Sequence, residues 1–250
     1  MDRRLFALLT ARDSGGGIPM PSDGLVFYAP LSSLADKSEA TGATWDDDPT
    51  YDNGYSLQYL SRVSPSSSTQ SYPTLSTVSG VKCLLFDSNQ YISVPDLLWN
   101  TWKHDQTFSW WVNFTVESKE RGMIGDCSPS KYSDNFRMSV LATNKIETTF
   151  GNTPSGRING TTVLSKDVWY HILVMLSGGG TQASCYLNGV LEGTASANGS
   201  TTKNEPFSIG RARDLTRGTI SCQGYMAAVR IYNKALSNDE IQTLAHEFGG

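Results

Sequence analysis

What most limits how this chain can fold is a repeated alternation, from Leu25 onward, between short apolar, β-branched or aromatic runs and clusters of turn residues. Such runs occupy residues 25–31, 81–86, 90–94, 107–116, 136–142, 145–150, 169–177, 183–187, 206–210 and 219–232. Their length and composition are those of strands. About ten strands of this kind imply two stacked antiparallel sheets rather than one sheet with a single covered face.

Turn chemistry agrees. Gly178-Gly179-Gly180 joins two apolar runs, and Asn188-Gly189 separates Cys185-Tyr186-Leu187 from Val190-Leu191. Both supply residues that tolerate positive φ, as tight hairpins require. The triple glycine is not a phosphate cradle, because no helix opening on Lys-Ser/Thr follows it. One helix closes the chain: Ser237-Asn238-Asp239-Glu240 is a capping box, with Leu236 and Ile241 placed as its hydrophobic staple. Ile241, Leu244, Ala245 and Phe248 form its apolar stripe and Gly249 is the expected terminator, so the helix reads as structural.

Composition narrows the class. At 38% hydrophobic and 18% charged, the 250 residues suit neither a disordered chain nor a coiled coil. Twenty-four acids against 20 bases leave a charge of −4 with no basic block, which excludes nucleic acid as an expected partner. No apolar run approaches the roughly 20 residues of a membrane-spanning helix. Leu5-Phe6-Ala7-Leu8-Leu9 is short for a signal-peptide core and is followed by Arg12 and Asp13, so an export signal is not expected. Cys83, Cys127, Cys185 and Cys222 lie far apart without a C-x-x-C pair, which argues against structural zinc; free thiols are expected, with their disulfide state left open.

Residues 1–23 read as a separate element: a basic, leucine-rich arm, then Gly15-Gly16-Gly17, then Pro19 and Pro21. Glycines followed by prolines make a flexible hinge and a stiffer lead-in, so the expected organisation is an arm and hinge over 1–23 and a sandwich domain over 24–250. Residues 45–79, rich in Ser, Asp and aromatics, form the least regular stretch and read as a long insertion between strands, where binding functions are commonly carried.

The second half resembles the laminin-G-like, concanavalin A-like lectin/glucanase superfamily. Asp167-Val168-Trp169-Tyr170-His171-Ile172 is similar to its W-x-H strand, Ser184 to Gly189 to its Y-x-N-G hairpin, and Phe207 to Arg211 to its next strand. Gly224 to Ser237, containing Val229-Arg230-Ile231-Tyr232, resembles its closing signature. Tyr28-Ala29-Pro30-Leu31, Phe86-Asp87 and Phe108-Ser109-Trp110-Trp111 follow the family order in the first half. The resemblance spans about residues 24–248 and implies an all-β fold: a jelly-roll sandwich of two curved antiparallel sheets with a short C-terminal helix. Ala227 and Ala228 stand where relatives often carry acids, so any role of those acids does not transfer, and calcium binding there is not implied.

No catalytic motif emerges. The glucanase branch carries its carboxylates as Glu-x-Asp-x-(x)-Glu on one strand, and this motif is absent. Glu117 and Glu120 are spaced to face opposite ways on a strand, and read as loop charges. His104, His171 and His246 are dispersed, with no G-x-S-x-G elbow; His171 is expected to be packed and hydrogen-bonded. Trp110, Trp111 and Trp169 read as core.

The candidate site residues are therefore in the loops. Trp45, Tyr51, Tyr55, Trp99 and Trp102 are the candidate aromatic platform, since sugar rings stack their C–H faces on Trp and Tyr. Asp46, Asp48 and Asp52 are candidate calcium ligands, although they lack the glycine and terminal glutamate of the EF-hand loop; no other cofactor is expected. The expected function is a non-catalytic module that recognises carbohydrate or a surface glycoconjugate. The alternative is a structural or decoration protein of a phage or prophage virion, anchored through residues 1–17 and located on a virion or cell surface. A glycoside hydrolase is the remote third reading, and a homo-oligomer would suit a weak multivalent site.

Overall fold

A computed structural model describes residues 20–29, 31, 58–61, 73–87, 90–98, 104–126, 136–150, 156–197, 206–212 and 221–248. Their strands, in chain order, are β1 (Leu25–Ala29), β2 (Gln58–Ser61), β3 (Thr74–Val78), β4 (Val81–Phe86), β5 (Gln90–Leu98), β6 (Gln106–Phe114) and β7 (Arg121–Asp126). There follow β8 (Phe136–Val140), β9 (Ile146–Phe150), β10 (Arg157–Asn159), β11 (Trp169–Ser177), β12 (Gln182–Leu187), β13 (Val190–Ser196), β14 (Pro206–Ile209), β15 (Gly224–Tyr232) and the helix α1 (Asn238–Ala245).

The strands form two antiparallel sheets, as expected. An eight-stranded sheet runs β13-β12-β11-β6-β15-β4-β3, with β1 also paired to β15; a seven-stranded sheet runs β10-β9-β8-β7-β14-β5-β2. Between them lies the main core, which includes Phe27, Phe86, Phe108, Trp110, Phe136, Phe150, Ile172, Val174, Phe207 and Ile231. Phe108 stacks on Phe136 with ring centroids 4.8 Å apart, joining the two sheets at the centre.

Alternation along each strand assigns the faces. On β11, Ile172, Val174 and Leu176 enter the main core, while Leu173 and Met175 point outward to a second cluster with Tyr232, Leu236, Ile241 and Leu244 of the C-terminal segment. On β15 the alternation survives a bulge: Ala227 pairs with Trp111 and Arg230 with Ser109, so two residues of β15 oppose Trp110 alone. Ala228 takes φ +50° there, and Ala227 and Ala228 pack with Trp111 and Cys83 in a third cluster. Small side chains at 227 and 228 leave room for the indole.

The hairpins form as predicted. Gly178, Gly179 and Gly180 all have positive φ, and Asn188 and Gly189 have φ of 49° and 77°. The capping box of α1 also forms: Ser237 Oγ accepts from the Glu240 amide and Glu240 Oε2 accepts from the Ser237 amide at 2.8 Å. The helix stops at Ala245, sooner than the stripe ending at Phe248 implies, with His246 as its C-cap. Glu247 is instead turned back onto Arg230, and Phe248 lies 5.1 Å from Trp111.

Several strands exceed the sequence reading. β2 and β3 lie inside the stretch 45–79, which reads as irregular because β2 is only four residues long and polar Ser and Thr dominate β3. β7 is masked in the sequence by Gly122 and Gly125, and β10 has only three residues. β15 begins at Gly224, five residues later than the run starting at Thr219 suggests. Of the arm and hinge expected over 1–23, residues 1–19 fall outside the described residues.

Candidate functional site

Part of the outer face of the eight-stranded sheet is covered by the C-terminal segment. Beneath α1, Arg230 grips Glu247 through both terminal guanidinium nitrogens, at 2.8 and 2.6 Å, and its guanidinium also lies 4.5 Å from the centre of the Tyr28 ring. His171 is fully buried beside them, with Nε2 2.8 Å from Ser109 Oγ and its ring 5.3 Å from that of Trp111. Its backbone amide donates to Asn188 Oδ1 at 2.8 Å. Burial first, then the positive charge of Arg230 and the proximity of His246, push His171 down to about 3. A serine–histidine pair is therefore present in space though not in sequence. Both residues are sealed from solvent, so the pair is structural, as the sequence predicts for His171.

The outer face of the seven-stranded sheet is of the opposite character. Phe136, Met138 and Val140 of β8 enter the core, so Arg137 and Ser139 point away from it; likewise Glu147 and Thr149 on β9, and Ser208 between Phe207 and Ile209 on β14. Register aligns them. One cross-strand row reads Arg157–Thr149–Arg137–Gly125–Ser208 and continues in register to Ser93 and Gln58, crossing all seven strands. A second row reads Asn159–Glu147–Ser139–Gly122. An apolar core on one side thus backs a band of hydroxyl, guanidinium, carboxylate and glycine on the other.

Three hydroxyls of this band, Ser139 Oγ, Thr149 Oγ1 and Ser208 Oγ, are buried and have no hydrogen-bond partner among the described residues. An orphaned buried polar group costs about 1–3 kcal/mol, and such groups are rare enough that each needs a reason. On this sheet they lie in two adjacent cross-strand rows beside charged groups, while Trp111, Asn113 and His171 carry unpartnered buried atoms on the outer face of the eight-stranded sheet.

Those charges form a triad. Glu147 Oε1 receives Arg137 Nη2 at 2.5 Å, while Arg157 Nη1 stands 3.5 Å from Glu147 Oε2. The Arg137 and Glu147 side chains are almost wholly buried, and that of Arg157 is 46% exposed, so the triad runs from the interior of the band to its solvent end. Towards the other edge, the Arg211 guanidinium lies 3.7 Å above the centre of the Tyr91 ring. Gly210, at φ +87°, makes this turn possible: a Cβ there would meet the Phe86 ring at 2.3 Å.

Every loop residue named as a ligand candidate lies outside the described residues. This holds for the aromatic candidates Trp45, Tyr51, Tyr55, Trp99 and Trp102 and for Asp46, Asp48 and Asp52. Their attachment points are described. Tyr55 shortly precedes β2, and Trp99 directly follows β5; these strands pair antiparallel, so the chain enters β2 and leaves β5 at the same end of the seven-stranded sheet. Both aromatic stretches are tethered to the sheet that carries the polar band. Among the described residues, no three His, Cys, Asp or Glu side chains converge as a metal site. Cys83, Cys185 and Cys222 are free and buried. Glu117 lies exposed after β6, its Oε1 accepting from the Lys166 amide at 2.9 Å.

The sequence reading missed the band itself. Its signal is the strict alternation in Phe136-Arg137-Met138-Ser139-Val140 and the looser one in Ile146-Glu147-Thr148-Thr149-Phe150, but an ordinary solvated face alternates in the same way. Only burial and register distinguish the two.

Two antiparallel sheets with this connectivity, one outer face partly covered by a capped helix and the other lined with polar groups, define a lectin-like β-sandwich. The chain belongs to the concanavalin A-like lectin/glucanases superfamily, whose laminin G family model matches residues 86–242. No curated protein matches it. Among solved structures it is similar to domain 4 of AbnA, a GH43 extracellular arabinanase from Geobacillus stearothermophilus, in complex with arabinotriose. That likeness has a TM-score of 0.60 at 16% identity, covering 90% of this chain and all (100%) of that one. It is also similar to Trypanosoma rangeli sialidase in complex with 2,3-difluorosialic acid, with a TM-score of 0.64 at 18% identity; the match takes in 99% of this chain but only 38% of the sialidase. The binding domain of Paraclostridial Mosquitocidal Protein 1 gives a TM-score of 0.59 at 15% identity, over 90% of this chain and 52% of that one. At these identities the likenesses establish the fold. Among the described residues no helix is long and apolar enough to cross a membrane.

Proposed function

We propose that this chain is a non-catalytic carbohydrate-recognition module whose ligand lies on the outer face of the seven-stranded sheet. The observation that carries this reading is the row Arg157–Thr149–Arg137–Gly125–Ser208, with its unpartnered buried hydroxyls at Thr149 and Ser208. Sugar hydroxyls both donate and accept, so a site that binds them needs the mixture found here: hydroxyls, a carboxylate acceptor at Glu147 and guanidinium donors. Trp45, Tyr51, Tyr55, Trp99 and Trp102 supply the stacking surface in this reading, from stretches attached at one end of the same sheet.

The bound arabinotriose of the AbnA domain and the ligands of the sialidase support carbohydrate as the ligand class by analogy of fold. The non-catalytic reading rests on the missing Glu-x-Asp-x-(x)-Glu motif and on Glu147, whose carboxylate is occupied by arginines rather than facing a second carboxyl. Calcium at Asp46, Asp48 and Asp52 is a proposal of the same standing as the aromatic platform. The test is glycan-array binding by the full chain, with calcium and with a chelator, read alongside product analysis on the bound glycans. Binding without turnover supports the reading; release of shortened glycans overturns its non-catalytic part.

A further inference from the structure

Resting on the reading of this face as a carbohydrate site, we infer that it selects a glycan bearing a carboxylate or sulfate, held by Arg157 at the solvent end of the band. Two guanidinium groups, those of Arg137 and Arg157, stand at the single carboxylate of Glu147. These three side chains sum to one positive charge, whereas the chain as a whole carries −4. An anionic ligand is thus repelled by the molecule generally and drawn to this face, whereas a neutral one experiences no such preference.

The distances show which arginine is available. Glu147 is engaged most closely by Arg137, at 2.5 Å, and the 3.5 Å approach of Arg157 to the other carboxylate oxygen is too long for a strong hydrogen bond. Arg157 is half exposed at the edge of the sheet, and a guanidinium carries five donors in a planar fork that matches two oxygens of a carboxylate or sulfate. Thr149, directly opposite Arg157 in register, carries an unpartnered buried hydroxyl on the neighbouring strand. Anionic oxygens on Arg157 and a neighbouring sugar hydroxyl on Thr149 satisfy both groups together. A neutral sugar offers Arg157 only the weaker of these bonds.

The experiment measures binding of the full chain to three matched pairs: polygalacturonate and its carboxyl-reduced form, sialyllactose and lactose, dextran sulfate and dextran. The expected result is that at least one acidic member binds at least about tenfold more tightly than its neutral partner, and that added salt weakens that binding. The carboxylate and sulfate pairs separate the two sources of the anion. Arg157→Gln is expected to remove the preference, weakening the acidic ligand about tenfold and the neutral one by markedly less. Since Arg157 is half exposed on an edge strand, the variant should fold, and its thermal unfolding is measured in parallel. Equal binding of acidic and neutral members, or an acidic ligand indifferent to Arg157→Gln, overturns the inference while leaving the carbohydrate reading intact. Absence of binding across all three pairs removes both.

Discussion

Arg230 of β15 and Glu247, two residues beyond α1, form a bidentate ion pair across the outer face of the eight-stranded sheet, with the arginine side chain only 4% exposed. Burial alone would discourage the charge, but the carboxylate of Glu247 outweighs it and holds the guanidinium protonated. Removing one partner leaves the other charged in a dry site. Glu247→Gln is therefore expected to cost about 3–5 kcal/mol by denaturant unfolding. A loss below about 1 kcal/mol would show that the pair is solvated and does not fasten the C-terminal segment.

Close to that pair, His171 governs acid sensitivity. It is neutral in the folded protein, pushed down to about 3, whereas an unfolded histidine titrates near 6.5. The unfolded chain thus binds one more proton throughout the interval between these values, so stability is full above about 6.5 and is lost as the pH falls towards 3. The slope from this residue is up to about 1.4 kcal/mol per pH unit. His171→Gln retains a group for Ser109 and should flatten the pH dependence of unfolding by one proton. Equal slopes for the two proteins between pH 4 and 6 would contradict this.

A third prediction concerns the seam where the two sheets meet at β10 and β13. The Glu192 carboxylate on β13 accepts the backbone amides of Thr161 and Thr162, at 2.7 and 3.0 Å, and the Thr162 hydroxyl at 2.5 Å, just beyond β10. Burial raises its pKa, but the Thr162 and Thr161 hydrogen bonds prevail and hold it below the usual range. Its contribution is present above the ordinary carboxylate range and disappears as the pH falls through its lowered value. Glu192→Ala should cost about 1 kcal/mol at pH 7, with hydrogen exchange accelerated selectively at the amides of Thr161 and Thr162. Unchanged exchange there would show that the seam is held by other contacts.

How far the sequence reveals this molecule depends on how local each feature is. The capping box at Ser237 and Glu240 and the Asn188-Gly189 turn each depend on a few adjacent residues, and both are plain in the sequence. The strand alternation on β8 and β9 is also local, but its meaning is not. Arg137 and Glu147 are ten positions apart and become partners through register, and Ser208 joins their row only because β14 lies beside β7. The pairing of Ser109 with His171 spans 62 positions and could not be anticipated from either neighbourhood. The bulge at Ala227 and Ala228 shows the same limit: the missing acids were visible, but the reason, room for Trp111, belongs to a neighbouring strand.

The orphaned hydroxyls make a prediction of their own about stability. If Ser139 and Ser208 serve a ligand rather than the fold, Ser139→Ala and Ser208→Ala each remove a buried group without a partner. Each variant should be as stable as the parent or more so, by up to about 1 kcal/mol. Destabilisation by more than about 1 kcal/mol in either would mean that the hydroxyl supports the fold.

Glycan-array binding by the full chain and by its Thr149→Val/Ser208→Ala variant, with the fold of both verified by circular dichroism, tests the central claim that the polar row on the seven-stranded sheet is the carbohydrate face. The account predicts selective binding by the parent and at least about a tenfold loss in a variant that remains folded and no less stable. Undiminished binding by the folded variant, or no glycan bound by the parent, would contradict it.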